Sequence, residues 1–365
     1  MPRTNLNLQI QLTKILDALL NIENLPDPDK VESIFIYATV WGLGACLTND
    51  SKKIFEEKLR SLVEKPMPDK KVSLFDFYFD LRREWVNWKD EVRQYETPEG
   101  TKFSKILVPT IDTKKYSYIL DLMVKLKNPC MFVGESGTAK SVIISNYLGS
   151  LSTDEFMKLE INFSSRTTSK DLQANLEDNI EKRSGRIFGP KIVGKKLILM
   201  IDDLHMPIVD KYGTQQPIAL LKFFIEKGYI YERSGGLEQK IVKDTQVVSA
   251  LLPPSVATMV DPRLLSLYTT FNLIFPSQDN LQRIYNSILA SHLKKFSPEI
   301  QELTSKITEC TLKVYRQTVE QLPRTPAKFH YIFNLRDLSR VYEGLLRSTI
   351  DKFATKDSML RLWRN

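Results

Sequence analysis

The sequence predicts an α/β fold in which a parallel sheet is flanked by helices, with further helices before and after it in the chain. Between residues 106 and 277, five apolar runs of strand length alternate with longer segments of helical or mixed pattern. Such alternation is typical of a parallel sheet, whose strands are buried on both faces. We therefore expect a helical lead-in region over residues 1–105, a large α/β domain over 106–277 and a C-terminal helical domain over 278–365.

The strands of the predicted sheet follow from these apolar runs. They are residues 130–133, 156–163, 197–201, 246–252 and 271–275. Between the third and fourth runs, residues 228–233 and 240–242 flank the turn-forming sequence Ser234-Gly235-Gly236. This composition predicts a β-hairpin inserted at the edge of the sheet.

The regions on either side of the sheet show helical periodicity. Residues 32–47 are mostly apolar, and Trp85 and Trp88 are three positions apart, so they are predicted to share a helix face. Residues 95–101 contain glycine and proline and are predicted to form a loop. After the last strand, Ser277 is predicted to cap a helix. The apolar face of that helix comprises Leu281, Ile284, Tyr285, Ile288 and Leu289.

Composition narrows the class of protein. Hydrophobic residues make up 42% and charged residues 26% of the 365 residues, which excludes the disordered, collagenous and disulfide-rich classes. The net charge of +8 is spread along the chain without a dense basic run, so we do not expect nucleic acid as a partner. The longest apolar stretch, residues 34–47, is shorter than the ~20 residues that cross a bilayer, so we expect no membrane association.

The cysteines predict a compartment. Cys46, Cys130 and Cys310 are far apart in the sequence and lie in apolar surroundings. This pattern favours buried thiols in a reducing environment over disulfides or a metal site. The N-terminal residues also lack the basic-then-apolar pattern of a signal peptide. We therefore expect an intracellular protein.

The segment after the first predicted strand matches a loop that binds nucleotide phosphates. In the pattern G-x-x-x-x-G-K-[ST], backbone N–H groups surround the phosphate oxygens and the next helix adds the positive end of its dipole. The lysine reaches the outer phosphates, and the hydroxyl binds Mg²⁺. Lys140 is the predicted phosphate lysine and Ser141 the predicted magnesium ligand. The predicted loop consists of Gly134, Glu135, Ser136, Gly137, Thr138, Ala139, Lys140 and Ser141.

One position of this loop departs from the pattern. Ala139 stands where the pattern has glycine. Alanine is tolerated there if the residue has helical backbone angles, and it is unfavourable if φ is positive. The strand before the loop, the predicted helix after it and the carboxylates further along the chain favour a nucleotide site over a chance glycine–serine turn.

A pair of carboxylates ends the third predicted strand. Asp202 and Asp203 follow residues 197–201, about 60 positions after the loop. The carboxyl ends of parallel strands form the edge where ligands bind, so Asp202 is predicted to hold Mg²⁺, directly or through water. Asp203 stands where many ATPases place a glutamate that orients the attacking water. Its side chain is one methylene shorter, and a displacement of about 1 Å can lower a rate on the order of a hundredfold. The sequence therefore supports nucleotide binding better than fast hydrolysis.

The sequence resembles the third AAA+ module of axonemal dynein heavy chains over nearly its whole length. The most specific segments are Asp202-Asp203-Leu204-His205-Met206-Pro207 and Gly213-Thr214-Gln215-Gln216-Pro217-Ile218-Ala219-Leu220-Leu221. Further matching segments are residues 108–113, 132–141, 162–168, 181–183 and 328–337. The resemblance implies a P-loop AAA+ fold with a C-terminal helical lid domain, which forms one module of the ring of a microtubule motor.

The resemblance also implies roles for residues outside the phosphate loop. Val108 and Pro109 would border the adenine of ATP or ADP. Arg336 would be the lid arginine that contacts the γ-phosphate in the same module, and Arg263 the finger that reaches the nucleotide of a neighbouring module. Arginine forks suit phosphate charge, although each arginine alone could equally be a surface residue or part of an ion pair.

Partners and location follow from the same resemblance. It implies contacts with neighbouring AAA+ modules of the same heavy chain, with microtubules through parts absent from this chain, and with dynein intermediate and light chains in the full complex. It implies a location in the cytoplasm and in the cytoskeleton of the ciliary axoneme. The third module is regulatory in this family, since its nucleotide state gates the main hydrolytic site elsewhere in the ring.

Two departures from the family pattern leave the activity open. Leu252 stands where active ATPases place a polar sensor of the γ-phosphate, and His205 replaces the usual asparagine. A histidine there could be a magnesium ligand or a packed, hydrogen-bonded side chain. One hypothesis is a regulatory module that binds ATP or ADP and hydrolyses slowly. A second is a structural module that holds nucleotide permanently or has lost it. A third, an unrelated AAA+ factor acting on DNA, has only the net charge in its favour.

Overall fold

The computed structural model describes residues 4–20, 28–92, 95, 103, 106–254 and 259–365. The predicted loop at 95–101 lies almost wholly outside these residues. The helices in the described part are α1 (Asn5–Leu19), α2 (Pro28–Leu43), α3 (Asn49–Leu62), α4 (Ile111–Lys125), α5 (Lys140–Ser150), α6 (Ser169–Glu177), α7 (Gln216–Lys227), α8 (Pro262–Leu265), α9 (Gln278–Leu293), α10 (Pro298–Gln301), α11 (Leu303–Gln321), α12 (Leu335–Leu345) and α13 (Lys356–Arg364). The strands are β1 (Phe77–Asp80), β2 (Glu84–Asn87), β3 (Cys130–Val133), β4 (Phe156–Asn162), β5 (Ile180–Ser184), β6 (Ile187–Pro190), β7 (Lys196–Asp202), β8 (Tyr229–Tyr231), β9 (Gln239–Val242), β10 (Thr245–Leu251) and β11 (Thr269–Asn272).

The main sheet has five strands in the order β11-β3-β10-β7-β4. Every neighbouring pair in it is parallel, which confirms the predicted α/β class. Strand β7, next to the central strand β10, is buried over five consecutive residues, as a strand covered by helices on both faces must be. The last strand occupies Thr269–Asn272 and not the predicted 271–275, because two buried threonines precede the apolar run and extend the pairing with β3.

A second sheet of four strands has the order β5-β6-β9-β8. The predicted hairpin is confirmed as the antiparallel pair of β8 and β9. Its predicted place at the edge of the main sheet is wrong, since β9 pairs with β6 and so joins a separate sheet. Strands β5 and β6 were not predicted, because β5 carries the polar run Glu181-Lys182-Arg183-Ser184, which hides the alternation of a strand.

The prediction that Trp85 and Trp88 share a helix face is wrong. Trp85 lies in β2, which pairs with β1 as an antiparallel hairpin that places it opposite Phe79. Trp88 begins a short 3₁₀ turn, Trp88–Glu91. The carboxylate of Asp80 accepts hydrogen bonds from the backbone N–H groups of residues 82 and 83 at 2.8 and 2.9 Å, and this closes the turn. The spacing of the aromatic residues in this segment fits both a helix and a strand. Aromatic residues favour strands, and the turn at Asp80 lets the two strands pair as a hairpin.

The lead-in region closes the exposed edge of the main sheet. Gln11 of α1 is buried, and its amide Nε2 donates to the carbonyl oxygens of Trp41 at 3.2 Å and of Thr270 at 3.1 Å. Its Oε1 accepts from the backbone N–H of Thr270 at 3.2 Å. Further along β11, the N–H of Asn272 donates to the carbonyl oxygen of Ala45 at 2.9 Å. The polar groups that an edge strand would leave unpaired are thus satisfied by α1 and the segment after α2.

An aromatic cluster supports this closure. Trp41, 1% exposed, packs edge-on against Phe75 and Tyr116 with ring centroids 5.5 and 6.1 Å apart, and against Phe271 of β11 at 6.4 Å. Aromatic pairs in such tilted arrangements contribute about 0.5–1.5 kcal/mol each beyond the area that they bury. The described part of the lead-in region up to Asn87 is therefore part of the core around the sheet.

The chain divides into two compact units. The first consists of Met1–Asn87, Lys115–Glu135 and Ala139–Ile274, and the second of Trp88–Lys114, Ser136–Thr138 and Phe275–Asn365. Helices α9 to α13 form the core of the second unit, in which the rings of Tyr285 and Tyr342 stack with centroids 4.3 Å apart. The predicted cap of α9 is confirmed, because the side chain of Ser277 accepts a hydrogen bond from the N–H of Asn280.

Two expectations from composition have outcomes in the described residues. No helix there combines the length and the apolar character that crossing a bilayer requires. Cys46, Cys130 and Cys310 form no disulfide bond in the described residues, and Cys130 is buried and Cys46 half-buried. The prediction of a buried thiol is wrong for Cys310, which is exposed in α11. Cys310 lies outside the buried face of α11, which at this level consists of Ile307, Thr308, Thr311 and Leu312.

The closure of the sheet edge yields a test. Replacing Gln11→Leu removes three hydrogen bonds to buried backbone groups of Thr270 and Trp41, so we expect the free energy of unfolding to fall by about 2–3 kcal/mol. Urea denaturation measures this value. Gln9→Leu on the exposed face of the same helix is the matched control, with an expected change within about 0.5 kcal/mol. Equal stabilities of the two variants would show that Gln11 does not hold the edge.

Candidate nucleotide site

The strand order brings the phosphate loop and the carboxylate pair to one edge of the sheet. Strand β10 pairs with β3 on one side and with β7 on the other. Ser249 of β10 lies opposite both Met131 of β3 and Ile201 of β7, so the carboxyl ends of β3 and β7 are at the same level of the sheet. Ligands bind at this edge in open parallel sheets. The loop begins there, where the N–H of Gly134 donates to the carbonyl oxygen of Leu251 at 3.2 Å.

The predicted phosphate lysine lies inside the loop. Lys140 is the first residue of α5 and only 8% exposed. Its Nζ donates to the carbonyl oxygens of Gly134 at 2.7 Å and Glu135 at 2.8 Å. Helix α5 has no side chain that caps its N-terminus, so the first N–H groups of the helix and the ammonium group face the same loop. Together they form a concentration of positive partial and full charge that suits an anion.

Ala139 has the backbone conformation that is unfavourable for alanine. Its φ is 62° and its ψ is 20°, in the left-handed region. The condition under which alanine was expected to be harmful is therefore met, at a cost of about 1–2 kcal/mol relative to a relaxed conformation. Gly137 also has a positive φ of 89°, and a Cβ at that position would lie 3.2 Å from the backbone nitrogen of Leu335. Only glycine avoids both the strain and the close approach at Gly137.

The two carboxylates differ in environment. Asp202 ends β7 and is partly buried, and its Oδ1 accepts a hydrogen bond from the N–H of Asp203 at 3.0 Å. Asp203 is exposed and has a positive φ of 52°, a conformation that aspartate tolerates better than most residues. Two backbone hydrogen bonds fix the chain around them. The N–H of Phe163 donates to the carbonyl oxygen of Asp202 at 3.0 Å, and the N–H of Leu204 donates to the carbonyl oxygen of Ala250 at 3.1 Å.

His205 is a buried residue two positions after the carboxylate pair. The imidazole is 6% exposed. Burial lowers its pKa below the ordinary value, Lys140 lowers it further, and the negative charges of Asp203 and Asp202 act in the opposite direction. These directions agree with the strand pairing, which places the loop that leads to Lys140 and the Asp202–Asp203 pair at one edge of the sheet.

The donor atoms of this site suit Mg²⁺. Ser141 and Asp202 offer a hydroxyl and a carboxylate, which are hard oxygen donors. No cluster of three or more His, Cys, Asp or Glu side chains in the described residues could form a cage for a metal ion. Mg²⁺ beside nucleotides uses one or two carboxylates together with phosphate oxygens and waters, so the small donor set fits a nucleotide-bound ion.

The remaining predicted site residues lie on other elements. Val108 is buried and Pro109 partly buried, just before α4. Arg263 is exposed in α8, where Asp261 caps the helix. Arg336 is exposed at the start of α12, whose N-terminus carries a capping box formed by Asn334 and Asp337. The functional roles implied for these residues stay predictions.

Leu252 follows β10 directly, between the strands that carry the loop and the carboxylates. Ligands of open parallel sheets bind at this edge, so Leu252 lies in the region where a phosphate sensor would be needed. A leucine side chain has no donor or acceptor, so it offers no hydrogen bond to a phosphate oxygen. Residues 255–258, shortly after Leu252 in the sequence, lie outside the described residues.

Gln215 is a residue whose role the sequence did not reveal. It is 6% exposed, and its Nε2 donates to the carbonyl oxygens of His205 at 3.3 Å and Pro207 at 2.7 Å. It therefore fixes the segment that follows the carboxylates. In the sequence, Gln215 stood out only because it belongs to a run of residues specific to the resembled family. That run gave no physical reason to predict its role.

The strained alanine yields a test. Ala139→Gly relieves a penalty of about 1–2 kcal/mol and increases the entropy of the unfolded chain by about 0.4–1 kcal/mol, so we expect a net stabilisation of about 0.5–1 kcal/mol. Ala174→Gly, at an exposed position within α6, makes the same chemical change in a helical backbone and is expected to destabilise by about 0.5–1 kcal/mol. Urea denaturation of both variants gives the signs, and destabilisation by both would contradict the left-handed conformation of Ala139.

Comparison with known proteins assigns the chain to a family. The model described as the P-loop containing dynein motor region matches residues 95–276, and the model described as the dynein heavy chain AAA lid domain matches residues 1–90. A third, described as the AAA+ lid domain, matches residues 307–365. These matches confirm the P-loop AAA+ fold with helical regions on both sides.

Similar proteins agree with these matches. Dynein axonemal heavy chain 10 of Homo sapiens is 45% identical over 379 residues, which cover 100% of this chain and 8% of that protein. The Dynein-1-alpha heavy chain of the flagellar inner arm I1 complex of Chlamydomonas reinhardtii is 45% identical over 382 residues, with the same coverage. Dynein axonemal heavy chain 2 of Mus musculus is 34% identical over 366 residues, covering 97% of this chain and 8% of that protein. The chain therefore belongs to the axonemal dynein heavy-chain family and matches part of its AAA+ motor region.

Proposed function

We propose that this chain binds ATP or ADP with Mg²⁺ at the sheet edge formed by β3, β10 and β7. The main support is geometric, since the pairing of β10 with β3 and β7 brings the start of the phosphate loop and the carboxylate pair to the same sheet edge. A polyphosphate with a bound divalent ion is the ligand that complements this arrangement, because its phosphates need cations and N–H groups and its metal needs oxygen donors.

In this proposal each site residue has a defined task. The backbone N–H groups of residues 134–141 and the Lys140 ammonium bind the phosphates, and Ser141 and Asp202 hold the ion. Asp203 orients the water that attacks the γ-phosphate. Arg336 contacts the γ-phosphate, Arg263 serves the site of a neighbouring module, and Val108 and Pro109 border the adenine. The bound Mg²⁺ supplies charge neutralisation of the phosphates.

We further propose that the chain is the third module of its ring, with a regulatory site that hydrolyses ATP slowly. Asp203 is one methylene shorter than the glutamate of fast ATPases, and Leu252 provides no polar sensor. Both features lower the rate of hydrolysis more than the affinity for nucleotide, because they affect groups needed only in the transition state.

A second candidate function is a structural module that holds nucleotide permanently or has lost it. The observation that favours it is the position of Lys140, whose ammonium donates to two carbonyl oxygens of its own loop. A phosphate must compete with these bonds. Strain at Ala139 adds to the energy that the loop stores in this conformation.

We propose partners and a location from the family. The relatives named above are axonemal and flagellar heavy chains of which this chain spans 8%, so its neighbours are other AAA+ modules of the same heavy chain. The match of residues 1–90 to a lid model supports the idea that the lead-in region belongs to the lid of a preceding module. Microtubules, through parts outside this chain, and intermediate and light chains are the further partners, in the ciliary axoneme.

The first test uses the phosphate lysine. Lys140→Ala is expected to weaken the affinity for ADP and ATP by about a hundredfold, because it removes a buried cation that the phosphates need. Titration of the purified 365-residue chain with a fluorescent ADP measures the affinity, and the thermal midpoint without nucleotide checks the fold. Ser141→Ala is the companion variant, with loss of the Mg²⁺-dependent part of binding and unchanged affinity in EDTA. If wild type and both variants fail to bind either nucleotide, the proposed site does not exist.

The second test separates ATP from ADP. Arg336→Ala is expected to lower the affinity for ATP about tenfold and to leave that for ADP unchanged, because a charge-assisted contact to the γ-phosphate is lost. Arg340→Ala, one turn further along α12, is the matched control, since this exposed arginine pairs with Asp337 at 3.3 Å. Equal losses for ATP and ADP, or equal effects of the two variants, would refute the role given to Arg336.

A further inference from the structure

His205 contains a buried nitrogen that has no partner in the described protein. Its Nδ1 makes no hydrogen bond there, and the side chain is 6% exposed. Buried polar atoms in native proteins nearly always have a partner, and an exception points to a bound water, an ion or a role in the site. Leaving such an atom unsatisfied destabilises a fold by about 1–3 kcal/mol, which is a reason to look for the group that completes it.

The backbone that carries His205 is held in place on both sides. The N–H of Leu204 donates to the carbonyl oxygen of Ala250 at 3.1 Å, and the N–H of Met206 donates to the carbonyl oxygen of Asp203 at 2.9 Å. Gln215 holds the carbonyl oxygens of His205 and Pro207. These bonds fix the backbone position from which the imidazole extends.

The charges around the ring identify the kind of partner. Asp203, Lys140 and Asp202 are the groups that act on the imidazole, and burial keeps it neutral by lowering its pKa. A neutral imidazole has one nitrogen that donates and one that accepts. Water is the natural partner, because it can donate to or accept from Nδ1 while also donating to a carboxylate or binding a cation.

We propose that His205 is a positioning residue of the nucleotide site, whose Nδ1 holds a water that also belongs to the hydration shell of the nucleotide-bound Mg²⁺. The proposal rests on the proposed function and extends it to a residue that no motif assigns. The water links the imidazole to the carboxylate pair, so His205 orders the magnesium end of the ligand without touching the metal.

Phenylalanine at this position separates a positioning role from a packing role. Phe has a ring of similar size and no nitrogen, so His205→Phe removes the unsatisfied atom and preserves the packing. A purely structural histidine with an orphaned nitrogen predicts a variant that is at least as stable as wild type and binds nucleotide equally well. A positioning histidine predicts the same gain in stability together with a loss of Mg²⁺-dependent binding.

The experiment is a titration of the 365-residue chain with ADP, once with MgCl₂ and once with EDTA, for wild type, His205→Phe and His205→Asn. We expect His205→Phe to weaken binding about three- to tenfold in MgCl₂ and to leave binding in EDTA unchanged, the size of one net hydrogen bond. We expect His205→Asn to restore most of the affinity, since the amide can donate or accept. The thermal midpoint without nucleotide should not fall in His205→Phe.

Each other outcome overturns the inference in a recognisable way. If wild type binds ADP and His205→Phe binds it equally well in MgCl₂, the proposed function stands and the role of His205 is wrong. Equal losses of affinity in MgCl₂ and EDTA, with a lower thermal midpoint, would show a packing role. Failure of His205→Asn to restore affinity would exclude the hydrogen bond. If wild type binds no ADP under either condition, the proposed function fails and this inference fails with it.

Discussion

The site depends on the parallel pairing of one strand, β10, with β3 on one side and β7 on the other. This pairing places the carboxyl ends of two strands that lie far apart in sequence at one level of the sheet edge. Lys140 and the Asp202–Asp203 pair therefore come within electrostatic range of the same imidazole. A shift of one residue in either pairing would turn the side chains of that strand to the opposite face and separate the two halves of the site.

The surroundings of β10 explain how this register is maintained. β3 is held on its far side by β11, and the free edge of β11 is closed by Gln11 and by the N–H···O bond from Asn272 to Ala45. The lead-in region thus supports the sheet from the side opposite β7, and the aromatic cluster around Trp41 buries the junction. Residues that match a lid model consequently contribute to the core that positions the phosphate loop.

The sequence predicted the parts of the structure that leave a periodic or chemical signature. The five strands of the main sheet are apolar runs, and the loop and carboxylates at their ends have side chains that only a few functions use. The β1–β2 hairpin was missed because aromatic residues on nearly every position fit both a helix and a strand, and the turn at Asp80 decided between them. β5 was missed because its residues are charged.

The remaining features depend on contacts that no local pattern encodes. The closure of β11 by Gln11 joins residues 259 positions apart, so it follows only from the folded chain. The positive φ of Ala139 is a backbone property, and the sequence could state only what alanine would cost if it occurred. The unsatisfied nitrogen of His205 likewise appears only when the burial and the surroundings of the ring are known.

Hydrogen–deuterium exchange of the wild-type chain, with and without Mg²⁺ and ADP, shows whether the nucleotide binds at this sheet edge, because it reports on backbone N–H groups one segment at a time. If the polyphosphate lies in the loop at the end of β3 and its ion at the end of β7, ADP slows exchange in residues 134–141. Exchange in the segment around Asp203 then slows only when both Mg²⁺ and ADP are present. Unchanged exchange in both segments at saturating ADP, or protection confined to other parts of the chain, would show that the nucleotide does not bind at this sheet edge.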